Sequence, residues 1–132
     1  MSYLLDTHTL IWSILERGKL SDKVREILEN VENTALVSCV SFWEISIKFS
    51  LGKLALSGLK PEELRDLSIE TGFELISLSP QDCTTYHQLN TSFHKDPFDK
   101  MLIWQALQNK YILITKDTNI QQYEAVGLKT FW

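Results

Sequence analysis

Residues 96–117 read DPFDKMLIWQALQNKYILITKD, and this stretch decides the fold. Pro97 is favoured at the first position of a helix, and an amphipathic pattern follows it to Lys110. The next run, YILIT (111–115), is short, apolar and rich in isoleucine, which is typical of a buried strand. A helix that leads straight into a buried strand indicates a parallel sheet covered by helices.

The same alternation extends over the whole chain. Strand-like runs lie at YLL (3–5), TALVSCV (34–40), FELISL (73–78), YILIT (111–115) and, as a fifth candidate, LKTFW (128–132). Helical patterns lie between them, at SDKVREILENV (21–31), SFWEISIKFSLGKL (41–54), KPEELRDLSIETG (60–72) and SPQDCTTYHQL (79–89). The sequence therefore predicts a single α/β domain over residues 1–132. We expect a three-layer α/β/α sandwich with a central, mainly parallel sheet of about four to five strands.

Composition limits the classes of function. The net charge is −4, so bulk attraction to nucleic acid is disfavoured, although local contacts through metal ions remain open. There is no basic segment followed by an apolar run at the start, and no apolar run spans a bilayer, so we expect a cytoplasmic protein without membrane contact. Cys39, in a strand-like run, and Cys83, in a predicted helix, are expected to be small buried residues without chemistry.

Five of the 17 acidic residues share one position relative to the predicted sheet. Asp6 follows the first strand, Glu44 lies on the first turn of the helix after the second strand, and Asp117 follows the fourth strand. In a right-handed crossover, a helix starts near the carboxyl edge of the sheet, which also places Asp96 and Asp99 there. The crevice outside this edge is where open parallel sheets bind ligands.

Each acid also has an ordinary structural explanation. Asp96 before Pro97 is a standard helix cap, and Asp99 in the first turn suits the helix dipole. Asp6 is explained as a turn former, Glu44 as a solvated side chain and Asp117 as a cap. The residues alone leave these alternatives open.

Electrostatics favours a cation if the acids do meet. Two carboxylates about 4 Å apart repel by roughly 4 kcal/mol at an effective dielectric of about 20. A hard divalent ion with oxygen ligands, Mg²⁺ or Mn²⁺ in its place, relieves that repulsion, whereas Zn²⁺ generally recruits His or Cys. Such a site suits phosphoryl chemistry.

The chain resembles the PIN-domain ribonucleases, and among them the VapC-type toxins of type II toxin–antitoxin pairs. The similar stretches are YLLDTHTLIW (3–12), VSCVSFWEISIKFSLGKL (37–54), HKDPFDKMLIWQAL (94–107) and YILITKD (111–117). The resemblance implies a Mg²⁺-dependent endoribonuclease with four acids, and it assigns them here to Asp6, Glu44, Asp99 and Asp117. It leaves Asp96 as a cap. It further implies a cognate antitoxin as partner, an RNA substrate and a homodimer.

Roles within that implied site follow as hypotheses. Asp6 and Asp99 are the first choice as direct metal ligands, Asp117 supports them, and Glu44 orients or deprotonates the attacking water. Thr7 and Thr115 are expected to hydrogen-bond to ligating carboxylates from outside. Hydrolysis would leave a 5′-phosphate and a 3′-hydroxyl. The segment SLGKLAL (50–56) is expected to be an exposed clip near the antitoxin groove.

Other functions fit less well. A haloacid-dehalogenase-type phosphatase needs a second Asp where this chain has His8, and a receiver domain needs an Asp where this chain has Ser79. A catalytically weak PIN-like binding module, whose main role is antitoxin pairing, remains the alternative. His8 and the lysines 95, 100 and 116 are candidates for substrate contact or for ordinary flanking residues, as is His94.

Overall fold

The computed structural model describes residues 1–89, 93 and 95–132, so the candidate His94 lies outside the described residues. Within them, five strands form one sheet in the order β3-β2-β1-β4-β5, and every neighbouring pair is parallel. The strands are β1 (Ser2–Leu5), β2 (Thr34–Ser38), β3 (Glu74–Ile76), β4 (Ile112–Ile114) and β5 (Lys129–Phe131). The predicted parallel sheet, with LKTFW as its fifth strand, is confirmed.

Helices connect the strands, as the alternating pattern predicted. In the described part of the chain they are α1 (Thr7–Leu15), α2 (Asp22–Glu29), α3 (Cys39–Ser50), α4 (Pro61–Glu70), α5 (Pro80–Thr85), α6 (Pro97–Asn109) and α7 (Thr118–Gln121). Short 3₁₀ turns follow at Arg17–Lys19, Tyr86–Gln88 and Gln122–Val126. None of the helices described here has both the length and the apolarity needed to cross a membrane.

Two hydrophobic cores lie on opposite faces of the sheet, which confirms the three-layer arrangement. Side chains of successive strand residues point to opposite faces, so Leu5 of β1 packs in one core and Leu4 in the other. Leu10 of α1 and Leu64 of α4 pack with Leu5. The second core is built on Leu4 by α6, including the fully buried Ile103.

The second strand is two residues shorter than predicted. Ser38 ends β2 and caps α3, because its Oγ accepts a 3.1 Å hydrogen bond from the backbone N–H of Val40. Cys39 is therefore the first residue of a helix instead of a strand residue. It is exposed, as is Cys83, so the expectation that both thiols are buried is wrong.

Helix α1 was not predicted, because polar residues on its buried side obscure the apolar period. Thr9 and Ser13 are buried, and their hydroxyls donate to backbone carbonyls, Thr9 to Ile114 at 3.1 Å and Ser13 to Thr9 at 2.6 Å. These bonds satisfy the hydroxyls inside the core.

The predicted helical pattern 21–31 extends two residues beyond the helix, because α2 ends at Glu29, and Val31 is 97% exposed. The segment 50–56 is mostly exposed, as expected, but Leu56 is only 1% exposed and belongs to the core with Leu64. The segment is therefore anchored to the protein by one leucine.

Candidate active site

Asp6 is fixed at the carboxyl edge of the sheet by both its backbone and its side chain. Its N–H continues the ladder from β1 by donating to the carbonyl of Ile114 at 3.1 Å. Its carboxylate caps α1, with Oδ1 accepting a 2.8 Å hydrogen bond from the N–H of Thr9. The side chain is buried, with only 3% of the residue exposed. Asp6 is thus a helix cap rather than the simple turn former of the ordinary explanation.

Burial is the main influence on the acidity of Asp6. Loss of water around the carboxylate raises its pKa above the ordinary value, and this outweighs hydrogen bonds from Thr115 and Thr9 and the positive charge of His8. Carboxylates whose pKa values are raised by burial are common in functional sites.

Thr115 links Asp6 to Asp117. Its fully buried hydroxyl bonds to the carboxylate of Asp6 and accepts a 3.0 Å hydrogen bond from the N–H of Asp117. Asp117 in turn caps α7, since its Oδ1 accepts from the N–H of Asn119 at 2.8 Å. The hydroxyl of Thr115 therefore sets the spacing between the loops that follow β1 and β4.

Glu44 lies on the second turn of α3, not the first as predicted, because the helix begins at Cys39. It is 3% exposed, so the ordinary explanation of a solvated side chain is wrong. Its Oε1 accepts a 2.6 Å hydrogen bond from the hydroxyl of Thr7, which also lies 3.1 Å from Oγ of Ser41. Its Oε2 pairs with the ammonium of Lys48.

Lys48 is a site residue that the sequence argument missed. The hydrogen bond to Glu44 is the largest influence that raises its pKa, followed by the charges of Glu44, Asp96 and Asp99, against a lowering by burial. The ammonium therefore lies in the field of the acids. The spacing Glu44–Lys48 is i,i+4 on a helix, a signal that was present in the sequence.

The sequence left open whether Asp96 and Asp99 are helix caps or site residues, and the structure shows that the two differ. Asp96 is the cap of α6, and its Oδ1 accepts hydrogen bonds from the N–H groups of Phe98 at 2.9 Å and Asp99 at 3.2 Å. The predicted cap is confirmed. Asp99 lies on the first turn of the helix, and its N–H is one of the two donors to Asp96.

Asp99 is the electrostatic centre of the acidic group. Burial raises its pKa most, and the charges of Asp96, Glu44, Asp6 and Asp117 raise it further, to about 8. Those four carboxylates come from four separate segments of the chain. The structure therefore brings the sequence-predicted acids within electrostatic reach of one another, at the edge where the topology placed them.

The acids do not form a ready-made metal cage. In the part of the chain that the structure describes, no three His, Cys, Asp or Glu side chains are grouped closely enough to hold one ion. The donor set nevertheless suits a hard divalent cation, because it consists of carboxylate oxygens whose mutual repulsion raises the pKa of Asp99. Bound cation would remove that repulsion, so the residues fit Mg²⁺ or Mn²⁺ in composition and charge.

A cavity of about 380 Å³ opens beside two of the acids. Among the described residues its lining includes Asp6 and Asp117 but neither Glu44 nor Asp99, and the rest of the wall is made by His8, Trp12, Lys116 and Thr118. Of the other candidate lysines, Lys95 is exposed, and Lys100 lies over the ring of Tyr86 with its Nζ 5.6 Å from the centroid.

Comparison with known proteins finds relatives that match nearly the whole chain. The family model described as PIN domain matches residues 3–126. Ribonuclease VapC22 of Mycobacterium tuberculosis (strain ATCC 25618 / H37Rv) is 24% identical over 129 residues, which is 98% of this chain and 97% of that protein.

Solved structures show the same fold. VapBC2 from Rickettsia felis, bound to a DNA fragment from its promoter, superposes with a TM-score of 0.68 at 18% identity, covering 99% of this chain and 98% of that one. VapBC-1 from nontypeable Haemophilus influenzae gives a TM-score of 0.68 at 19% identity, covering 99% and 97%. The family model spans nearly all of the chain, and the chain belongs to the PIN domain family.

Proposed function

We propose that this protein is a divalent-metal-dependent endoribonuclease and the toxin of a toxin–antitoxin pair, with residues 1–132 as one nuclease domain. The observation that carries the proposal is the position of Asp99 at one sheet edge, where burial and then the charges of Asp96, Glu44, Asp6 and Asp117 raise its pKa to about 8. The similarity to Ribonuclease VapC22 and to the VapBC complexes supports it.

Asp6 and Asp99 are the proposed ligands of Mg²⁺, or of Mn²⁺ in its place, with Asp117 beside them. When bound, the ion supplies neutralisation of phosphate charge and a water of lowered pKa. Asp6 is suited to the role because its cap and ladder bonds hold it at the edge without help from solvent. Thr115 holds Asp6 and Asp117 in register.

Glu44 is the proposed positioning group for the attacking water. One of its oxygens accepts from Thr7 and the other pairs with Lys48, so the carboxylate is oriented before substrate arrives. Each carboxylate oxygen has two lone pairs, and one remains on each for a water. In-line attack on the phosphodiester then gives a 5′-phosphate and a 3′-hydroxyl.

The proposed partner is a cognate antitoxin. The structural relatives named above are complexes of the VapBC type, and an acidic chain with net charge −4 suits a basic partner segment. The proposed place for an apolar part of the partner is a groove beside the end of α3, lined by Phe49, Leu54 and Leu59. The charged residues of this groove are lysines 53 and 60, so a basic segment of the partner would contact another surface. We also expect a homodimer, as the resemblance implies.

The test is cleavage of RNA by the purified chain with Mg²⁺ and with chelator, followed by sequencing of the fragment ends. Cleavage should require the metal, disappear in Asp6→Asn, and persist in Asp66→Asn, a matched substitution of an exposed acid on α4. Cleavage by Asp6→Asn at the wild-type rate would remove Asp6 from the mechanism.

The alternative is a PIN-like module that pairs with an antitoxin and cuts little or nothing. Thermal unfolding in a Mg²⁺ titration separates the two. An enzyme with the proposed site gains stability as the ion binds, in proportion to the logarithm of its concentration, whereas a module without the site does not respond.

A further inference from the structure

The cavity beside Asp6 and Asp117 has two kinds of wall. One is made by the two acids, and the other, called here the aromatic wall, is made by His8, Trp12, Lys116 and Thr118. Its volume of about 380 Å³ lies in the range of sites that hold small organic groups. The acidic wall belongs to the proposed cleavage site, but the proposed chemistry gives no task to the aromatic wall.

The rings of the aromatic wall contact several neighbouring side chains. The rings of His8 and Trp12 lie 5.7 Å apart at 40°, and the ring of Trp132 meets Trp12 edge-on at 5.8 Å. Nζ of Lys19 lies 5.9 Å from the Trp12 centroid, and Trp12 packs against the core that contains Leu10. His8 is exposed. A ring surface that is already fixed loses little conformational entropy when another flat group stacks on it.

Two features indicate which flat group fits. The first is continuity, because the aromatic wall and the proposed phosphate-cutting acids line the same cavity. The second is charge, because Lys116 stands in that cavity and carries a positive charge suited to a phosphate. Unstacked bases of single-stranded RNA are recognised by stacking on aromatic side chains while cations hold the backbone.

Building on the proposed nuclease function, we propose that this cavity receives one unstacked base of single-stranded RNA next to the phosphate that is cut. The base stacks on the surface made by His8 and Trp12, and Lys116 contacts a neighbouring phosphate. The cavity is thus a positioning and selectivity site, since it fixes which phosphodiester reaches the acids.

The binding test uses full-length protein carrying Asp99→Asn, a change outside the cavity that is expected to stop cleavage. Single-stranded hexanucleotides are titrated in Mg²⁺ and followed by tryptophan fluorescence and by anisotropy of a labelled end. Trp12→Leu should weaken binding by roughly 5- to 100-fold, the range found for loss of one stacked base. Trp12→Phe keeps a ring and should stay within about threefold of the parent, although the fluorescence quench should be lost.

Two milder variants guard against misfolding, because Trp12 also packs against the core. His8 and Lys116 are exposed, so His8→Ala and Lys116→Gln should leave the melting temperature unchanged. His8→Ala should weaken binding several-fold, and Lys116→Gln should reduce the salt dependence of binding by roughly one phosphate contact. Trp43→Leu is the matched control, since Trp43 is 62% exposed and lies outside this cavity.

A cleavage test on protein that retains Asp99 gives a second readout. Variants at His8 and Trp12 should raise KM and shift the preferred cutting position, whereas a merely structural effect would lower the amount of folded enzyme without shifting the position. Unchanged affinity and unchanged cutting positions in both Trp12→Leu and His8→Ala would overturn the base site while leaving the nuclease intact. Weakened binding in Trp43→Leu alone would overturn it as well.

Failure of the proposed nuclease function would give a different experimental result. A wild-type protein that cuts no RNA in Mg²⁺ or Mn²⁺ removes the nuclease proposal, and the hexanucleotide titration still decides whether the cavity holds a base.

Discussion

The hydroxyl of Thr7 donates a 2.6 Å hydrogen bond to Oε1 of Glu44, a residue 37 positions further along the chain. Thr7 starts α1 and Glu44 lies on α3, so one buried bond ties together the helices that leave the two neighbouring strands β1 and β2. Because Glu44 is almost fully buried, the bond also satisfies a carboxylate that has lost most of its water.

Replacing Thr7 by Val should therefore affect both stability and activity. Val has nearly the same shape but no hydroxyl, so Oε1 of Glu44 loses its donor in a buried place, at a cost of about 1–3 kcal/mol. Chemical denaturation measures the loss, and RNA cleavage should fall because Glu44 is no longer oriented. Thr7→Ser keeps the hydroxyl and should restore most of both; equal loss in the Ser variant would point to packing instead.

Lys48→Met tests the ion pair that the sequence argument missed. It leaves Oε2 of the buried Glu44 without its cation, and since Lys48 itself is partly exposed we expect a loss of about 1–2 kcal/mol. The pair raises the pKa of Lys48, so the contribution is complete at neutral pH and is lost only as pH rises above about 10. Wild-type stability in Lys48→Met at pH 7 would show that the pair contributes nothing.

Asp99→Asn should stabilise the metal-free protein at neutral pH while abolishing cleavage. The pKa of Asp99 is about 8 in the folded protein against an ordinary 3.8, so the folded state binds the proton more tightly than the unfolded state. The free energy of unfolding of the wild type therefore falls as pH rises from about 4 to about 8.

The Asn variant lacks this titration, so its advantage should be small at pH 4 and grow to several kcal/mol above pH 8, with about 6 kcal/mol as the upper limit set by the rise in pKa. Melting temperatures at several pH values in chelator measure it. Added Mg²⁺ should then favour the wild type over Asp99→Asn, because the ion compensates for the same charge. If the wild type and Asp99→Asn differed in stability by the same amount at all pH values, the pKa of Asp99 would not be raised in the folded protein.

Asp96 provides the matched comparison for Asp99. Asn caps a helix about as well as Asp, so Asp96→Asn should retain both stability and most of the cleavage, whereas Asp96→Ala should cost about 1 kcal/mol. The same Asp-to-Asn change three residues apart is thus expected to be mild at 96 and to abolish activity at 99. Loss of cleavage in Asp96→Asn without loss of stability would assign Asp96 to the chemistry.

The sequence predicts the helices and strands more completely than it predicts the contacts of individual side chains. Pro97 and the isoleucine-rich run 111–115 predicted α6 and β4, because these signals are local and their apolar faces meet one core. Helix α1 was missed, because Thr9 and Ser13 on its buried side look polar in the sequence, while their hydroxyls are satisfied by backbone carbonyls, Thr9 by that of Ile114 on β4 and Ser13 by that of Thr9 one turn earlier. Burial of Cys39 was expected wrongly, because Ser38 ends the strand with a capping bond that a continuous apolar run conceals.

The same distinction holds for the acids. Topology alone placed Asp6, Glu44 and Asp117 at the carboxyl edge, since each follows a strand. The sequence also named Thr7 and Thr115 as hydrogen-bond donors to the acids, but it did not predict which acid each one holds. The bonds from Thr7 to Glu44 and from Thr115 to Asp6 join segments far apart in the chain, and they exist only once the strands are paired.

Asp6, Asp96 and Asp117 each begin a helix by accepting a backbone hydrogen bond. An amide oxygen can accept the same bond, so an Asp-to-Asn exchange removes a negative charge yet keeps the start of the helix in place. In this fold, a point mutation can therefore remove a carboxylate of the proposed site without preventing folding. A single base change in the gene that gives Asp6→Asn is therefore expected to yield a copy that still folds but lacks the proposed activity, and that competes with the parent protein for whatever the unchanged surface binds.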